Sequence, residues 1–130
     1  MQESQTNMKQ VVTVAEGVDF RGLGALVKRL IYPQDTGCKN ATLSVVFLNP
    51  GEQIVLHTHV EEELYYIYSG EGEVYLDEKT EPVTVGSAVY IGPNVVHGQK
   101  CTGQEPMLMV AVVAPPFSTP NPIEIIGPKE

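Results

Sequence analysis

The sequence predicts an all-β fold, a sandwich or barrel of short strands. Three observations carry that reading. Gly and Pro, 12 and 10 in number, cut most of the 130 residues into short pieces. The pieces between them are rich in Val, Ile, Leu, Tyr and Thr, and recur at the roughly 8–12 residue spacing of sandwiches and barrels. No window of about 12 residues or more holds a clean helical period.

Taken in order, the candidate strands are Gln10–Val14, Ala25–Tyr32, Thr42–Leu48, Gln53–His59 and Glu63–Ser69, then Gly72–Asp77, Pro82–Val85, Ala88–Ile91, Val95–Lys100 and Met107–Ala114. Ala15–Leu26 comes nearest to a helix, but Gly17, Gly22 and Gly24 weaken it. Asn49-Pro50-Gly51 places Pro at a first corner and Gly where positive φ is expected. Ser69-Gly70-Glu71-Gly72 suits a link between antiparallel strands. Gly92-Pro93-Asn94 is a third corner, since Asn tolerates the left-handed region.

The length suits one domain. Residues 1–8 are polar and expected to be loose, and 9–114 form the barrel. The last segment, 115–130, holds five of the ten prolines and cannot be a central strand. Its Ile123, Ile125 and Ile126 imply an arm packed on the barrel or on a second subunit.

Composition narrows the function. A hydrophobic fraction of 42% and a charged fraction of 18% describe a globular chain. The net charge of −8 disfavours nucleic acid and anionic membranes as partners. The longest purely apolar run, Met107–Ala114, is too short for a membrane span. The N-terminal MQESQTNMKQ has no apolar core, so no signal peptide is expected and the default location is cytoplasmic. Cys38 and Cys101 form no metal-type pair and read mainly as structural thiols.

The three histidines carry the chemistry. His57 and His59, at i and i+2 in an expected strand, share one face. A lone buried His is usually a satisfied core residue, but two on one face, just before an acidic run, suggest a chelate. Glu63 opens the next strand, and a tight turn would return it to the same side. His97, from a later strand, would close the set across a barrel.

These residues resemble those of a known family. Gly51-x5-His57-x-His59-x3-Glu63-x6-Gly70 resembles the first cupin motif at every fixed position. Gly86-x5-Gly92-Pro93-Asn94-x2-His97 resembles the second, with departures. The family usually has Pro where Gly92 stands and Gly where Asn94 stands, and its closing Asn falls at Cys101. The resemblance implies a double-stranded β-helix, or jelly-roll barrel, with one divalent transition metal ion held by His57, His59, Glu63 and His97. Fe(II) or Mn is favoured; Ni, Co, Cu or Zn also suit such donors. One carboxylate among neutral imidazoles leaves a divalent ion at a net single positive charge. Four protein ligands on an octahedral ion leave two positions for water, substrate or dioxygen.

The resemblance further implies an enzyme acting on a small organic molecule, foremost a dioxygenase-type oxidoreductase, and a homodimer. A non-redox lyase or isomerase of a small acid or sugar is the alternative, and a non-catalytic ligand-binding module the third. Tyr65 follows Glu63 by two and shares its face. It is either an acid/base near the ion, as in small cupin lyases that it resembles, or a core aromatic with a satisfied hydroxyl. Tyr66 and Tyr68 face the other way. Gln53 shares the His57 face on a strand reading; it is either a donor to a bound ligand or, more simply, a residue near the rim. Of Lys28 and Arg29, one would point inward if their strand is real, although a solvated strand end is the simpler reading. Glu61 and Glu62 are expected in a solvated turn. Cys101 lies four after His97, so a thiol near the metal is an open alternative to a core one. Met107 and Met109 are expected in the core.

Overall fold

The computed structural model describes residues 10–119 and 122–130. The segment expected to be loose, 1–8, lies outside the described residues. Eleven strands appear among the described residues: β1 (Val18–Gly22), β2 (Ala25–Ile31), β3 (Thr42–Leu48), β4 (Gln53–Thr58), β5 (Glu62–Ser69), β6 (Gly72–Leu76), β7 (Lys79–Val83), β8 (Ala88–Ile91), β9 (His97–Cys101), β10 (Met107–Ala114) and β11 (Glu124–Gly127). They form two sheets, β1-β2-β3-β10-β5-β8 and β11-β4-β9-β6-β7, with antiparallel pairing throughout. This is the all-β jelly roll that the sequence implied.

Alternation builds the core. Along β5, Glu63, Tyr65 and Ile67 are buried while Leu64, Tyr66 and Tyr68 are exposed. Along β10, Met107 and Met109 are fully buried. Their sheet meets Ile54, Val74 and Cys101 of the other. Burying each large apolar side chain contributes roughly 1.5–3 kcal/mol, so the two inner faces hold the barrel closed around its contents.

Three local readings change. Gln10–Val14 is not a strand: residues 10–13 are irregular and Val14–Glu16 is a short 3-10 turn, started by a Thr13 N–H that donates to Glu16 Oε1 at 2.9 Å. Its β-favouring residues pair with no strand among the described residues. Within 15–26, the stretch nearest a helix, the chain forms β1 and the start of β2. Leu23 and Gly24, with φ of 60° and 98°, make the two-residue hairpin turn between them. β7 starts at Lys79 and contains Pro82, which is tolerated because β7 is an edge strand. In the Pro-rich segment, β11 adds to the opposite edge, beside β4.

Candidate metal centre

The pairing register assembles the site. His57 on β4 is the direct cross-strand partner of His97 on β9. His59 lies just past the end of β4, and its carbonyl accepts a hydrogen bond from Asn94 N–H at 2.8 Å. Asn94 takes φ of 64°, the left-handed shape that the turn needs. Glu63 comes from the other sheet, on β5. All four side chains are buried, and their donor atoms lie within 4.8 Å of one another. Glu63 Oε1 is 3.2 Å from His59 Nε2 and 3.4 Å from His97 Nε2. The four residues singled out in the sequence therefore meet at one point.

The backbone orients the rings. Nδ1 of His57 lies 2.7 Å from the Val55 carbonyl, that of His97 2.8 Å from Val95, and that of His59 3.0 Å from Glu61. A carbonyl can only accept, so each Nδ1 donates there, and a ring that gives up its Nε2 proton to an ion presents that lone pair inward. His97 Nε2 is buried and makes no well-aligned hydrogen bond, its near neighbour being Glu63 Oε1 at 3.4 Å. His59 Nε2 faces a carboxylate oxygen, and two acceptors approach this closely only with a proton or metal cation between them. Three imidazole nitrogens and one carboxylate oxygen form a donor set that fits a divalent transition ion.

Electrostatics reflect the same crowding. Burial first, and then neighbouring His97, hold His57 down at about 4. Burial would raise Glu63, but hydrogen bonds from His59 and His97, and then their charges, outweigh it and hold the carboxyl at about 2. His59 is raised: burial opposes its charge, but the hydrogen bond to Glu63 and that carboxylate's charge prevail. Burial, and then Glu63, push the Tyr65 phenol well above its ordinary range. Tyr65 is thus a core aromatic whose phenol lies within reach of the Glu63 charge.

The remaining residues sort by position. Lys28 faces outward and pairs with Asp19 at 2.6 Å. Arg29 lies in the cross-strand row of Tyr65 but is exposed, with its guanidinium over the Tyr32 ring at 4.8 Å. Gln53 Oε1 accepts from Lys129 N–H at 3.0 Å, tying the C-terminal segment to β4. Cys101 is a core residue, its thiol donating to the Glu105 carbonyl at 3.3 Å. Cys38 is half-buried.

Glu61 corrects an expectation: it is not solvated but 5% exposed. It does lie in the turn before β5, but its side chain folds back beside His59 instead of into water. Phe117 stands edge-on to the His59 ring, with centroids 5.3 Å apart. Nothing in its local sequence signals that long-range contact.

Comparison with known proteins agrees with this geometry. The family model described as Cupin domain matches residues 44–113. The chain belongs to the cupin family. This cupin is 29% identical over 113 residues to polyketide synthase CurC of Streptomyces cyaneus, covering 86% of this chain and 73% of that protein. A crystal structure of a predicted oxalate decarboxylase from Thermotoga maritima is similar at 25% identity and a TM-score of 0.73, covering 82% of this chain and 99% of the other. The polyketide cyclase RemF of Streptomyces resistomycificus shares the fold at 22% identity and a TM-score of 0.77, over 95% of this cupin and 89% of RemF. Among the described residues, no helix is long and apolar enough to cross a membrane.

Proposed function

We propose that this cupin is a metal-dependent enzyme acting on a small oxygen-rich organic molecule, with His57, His59, Glu63 and His97 as the ligands of one divalent transition ion. The observation that carries this reading is the set of Nδ1–carbonyl bonds, which aims three lone pairs and a carboxylate at one point. Fe(II) and Mn lead the candidates for the ion. When bound, such an ion would supply Lewis-acid polarisation or, if redox-active, electrons for dioxygen. The imidazoles act as neutral, pre-oriented donors, and Glu63 contributes the charge. Tyr65 holds its proton against Glu63, so it would orient that ligand and serve as a general acid.

Two reaction courses suit this site. A dioxygenase-type oxidation follows from the donor set and a redox metal. The names of the relatives, a polyketide synthase at 29% identity and a predicted oxalate decarboxylase at 25%, favour a non-redox course with Tyr65 as acid/base. Protein reconstituted with Fe(II), Mn(II) or Zn(II) would be tested against oxalate and aromatic β-diketones while oxygen is monitored. Product without oxygen uptake, lost in Tyr65→Phe at unchanged metal content, supports the non-redox course. Uptake matched to product supports the dioxygenase. Turnover equal in chelator-treated and loaded protein would remove the metal from the reaction.

The partner we propose is a second copy of this chain, in the cytoplasm. The outer face of the larger sheet carries Leu64, Tyr66, Tyr68 and Tyr90, all at least 40% exposed. Its Lys28 is paired to Asp19, and its Arg21 and Glu62, the latter accepting from the Tyr90 hydroxyl, are opposite in sign, so this face carries little net charge. For a chain of net charge −8, this is a face on which a copy can approach without strong repulsion. Six strands of this length span on the order of 600 Å², near the roughly 800 Å² per partner of an ordinary stable interface.

A further inference from the structure

We propose that Glu61 is an outer carboxylate of the metal centre: acting through His59, it makes the ion-filled cluster electrically neutral and tightens its hold on a divalent cation. The inference rests on the metal reading above and deepens it. Glu61 lies in the turn between β4 and β5, yet it is 5% exposed and its Oε1 has no hydrogen-bond partner. That oxygen is 3.8 Å from His59 Nδ1, and His59 is its only ion-pair partner among the described residues. The same residue's carbonyl takes the Nδ1 proton at 3.0 Å. Glu61 thus holds the back of the ring with its main chain and places its carboxylate alongside, while Glu63 occupies the Nε2 side at 3.2 Å.

The position separates two roles that the acidic run would otherwise share. Glu63 reaches the point where the lone pairs converge, and Glu61 does not. A buried carboxylate without a compensating charge is costly. Counting the four ligands alone, a divalent ion retains one positive charge. Counting Glu61 as well, two carboxylates balance it, and both buried anions are compensated at once. Groups that accept the second proton of a metal-ligating imidazole typically strengthen metal binding by about 10–100-fold; here the Glu61 carbonyl accepts it, and the Glu61 carboxylate, 3.8 Å from Nδ1, adds its charge. The neutral centre has a second consequence for what it accepts: a neutral molecule, or one that brings its own proton, is favoured over a bare anion. Glu61 is therefore a positioning residue that acts through His59 and through the field at the ion.

The two effects run in opposite directions, which makes them separable from damage to the fold. Wild type, Glu61→Gln and Glu61→Asp would be loaded with Co(II), whose visible absorption reports the coordination of the ion. Affinity would be measured by competition with a chelator, and sodium azide would then be titrated as an anionic probe. Glu61→Gln is expected to bind Co(II) about tenfold more weakly, yet to bind azide several-fold more tightly because a nearby negative charge is gone. Glu61→Asp, which keeps the charge, should return toward wild type in both. Glu61→Gln that matches wild type in both, or is weaker in both, overturns the assignment and leaves the metal reading standing. Failure of wild type to take up Co(II) overturns both.

Discussion

Glu63→Gln removes the one negative charge that touches two imidazoles. The carboxyl is held at about 2, against an ordinary value of 4.5. At about 1.4 kcal/mol per pH unit, the folded chain favours the ionised form by about 3 kcal/mol. The side chain is almost fully buried, so water screens little of that. The neutral amide resembles the protonated carboxyl, so metal-free Glu63→Gln should be less stable than wild type by about 2–3 kcal/mol at pH 7. The sign follows from linkage: a lowered carboxyl contributes stability above its unfolded value, and that contribution is lost as pH falls toward the folded one. The gap between variant and wild type should therefore close between pH 4.5 and about 2. Urea unfolding in excess chelator, at pH 7 and near pH 3, measures both. Equal midpoints at pH 7, or a gap that widens in acid, would refute the electrostatic account. Metal uptake by the same variant should fall sharply, since Glu63 Oε1 lies 3.2 Å and 3.4 Å from two imidazole nitrogens.

Three further outcomes are expected. His57 is held at about 4, so the unfolded chain takes up its proton first on acidification. Metal-free protein should lose up to about 3 kcal/mol as pH falls from 6.5 to about 4, seen as a falling urea midpoint; a His57→Gln variant with an equally steep fall would contradict this. Gly70 has φ of 79°, and a Cβ there would collide with the Pro106 carbonyl. Gly70→Ala should lower stability by about 2 kcal/mol or more by the combined strain and clash, whereas an unchanged melting temperature would show that the β5–β6 turn relaxes freely. Tyr66→Asp on the outer face of the larger sheet should move the sedimentation of a wild-type dimer to that of a monomer. A monomeric wild type would remove that face as an interface between copies.

Much of the site was legible because its signals are local. His57 and His59 lie two apart, and side chains two apart on a strand share a face whatever the rest of the chain does. Both are buried on the inner side. The corner at Gly92-Pro93-Asn94 was legible for the same reason, and Asn94 takes the left-handed φ that its small polar side chain permits. The β1–β2 hairpin was missed because its turn, Leu23-Gly24, lacks the Asn-Gly or Asp-Gly signature, and its glycines resembled defects in a helix. Glu61 was misplaced because a run of three acidic residues suggests water. Here the turn folds the side chain inward, and the cluster offers His59 as a neighbour for the carboxylate.

Composition and spacing by themselves determined the β class, the turns and a His-x-His-x3-Glu element able to chelate. These depend on torsional preferences and on a two-residue period, which act within a few residues. Only the tertiary structure decided that His97 stands directly opposite His57, that Glu63 reaches the cluster from the other sheet, and that β11 closes the edge of β4. Those facts depend on strand register. Register is set by the packing of whole inner faces across separations of tens of residues, where no local preference acts.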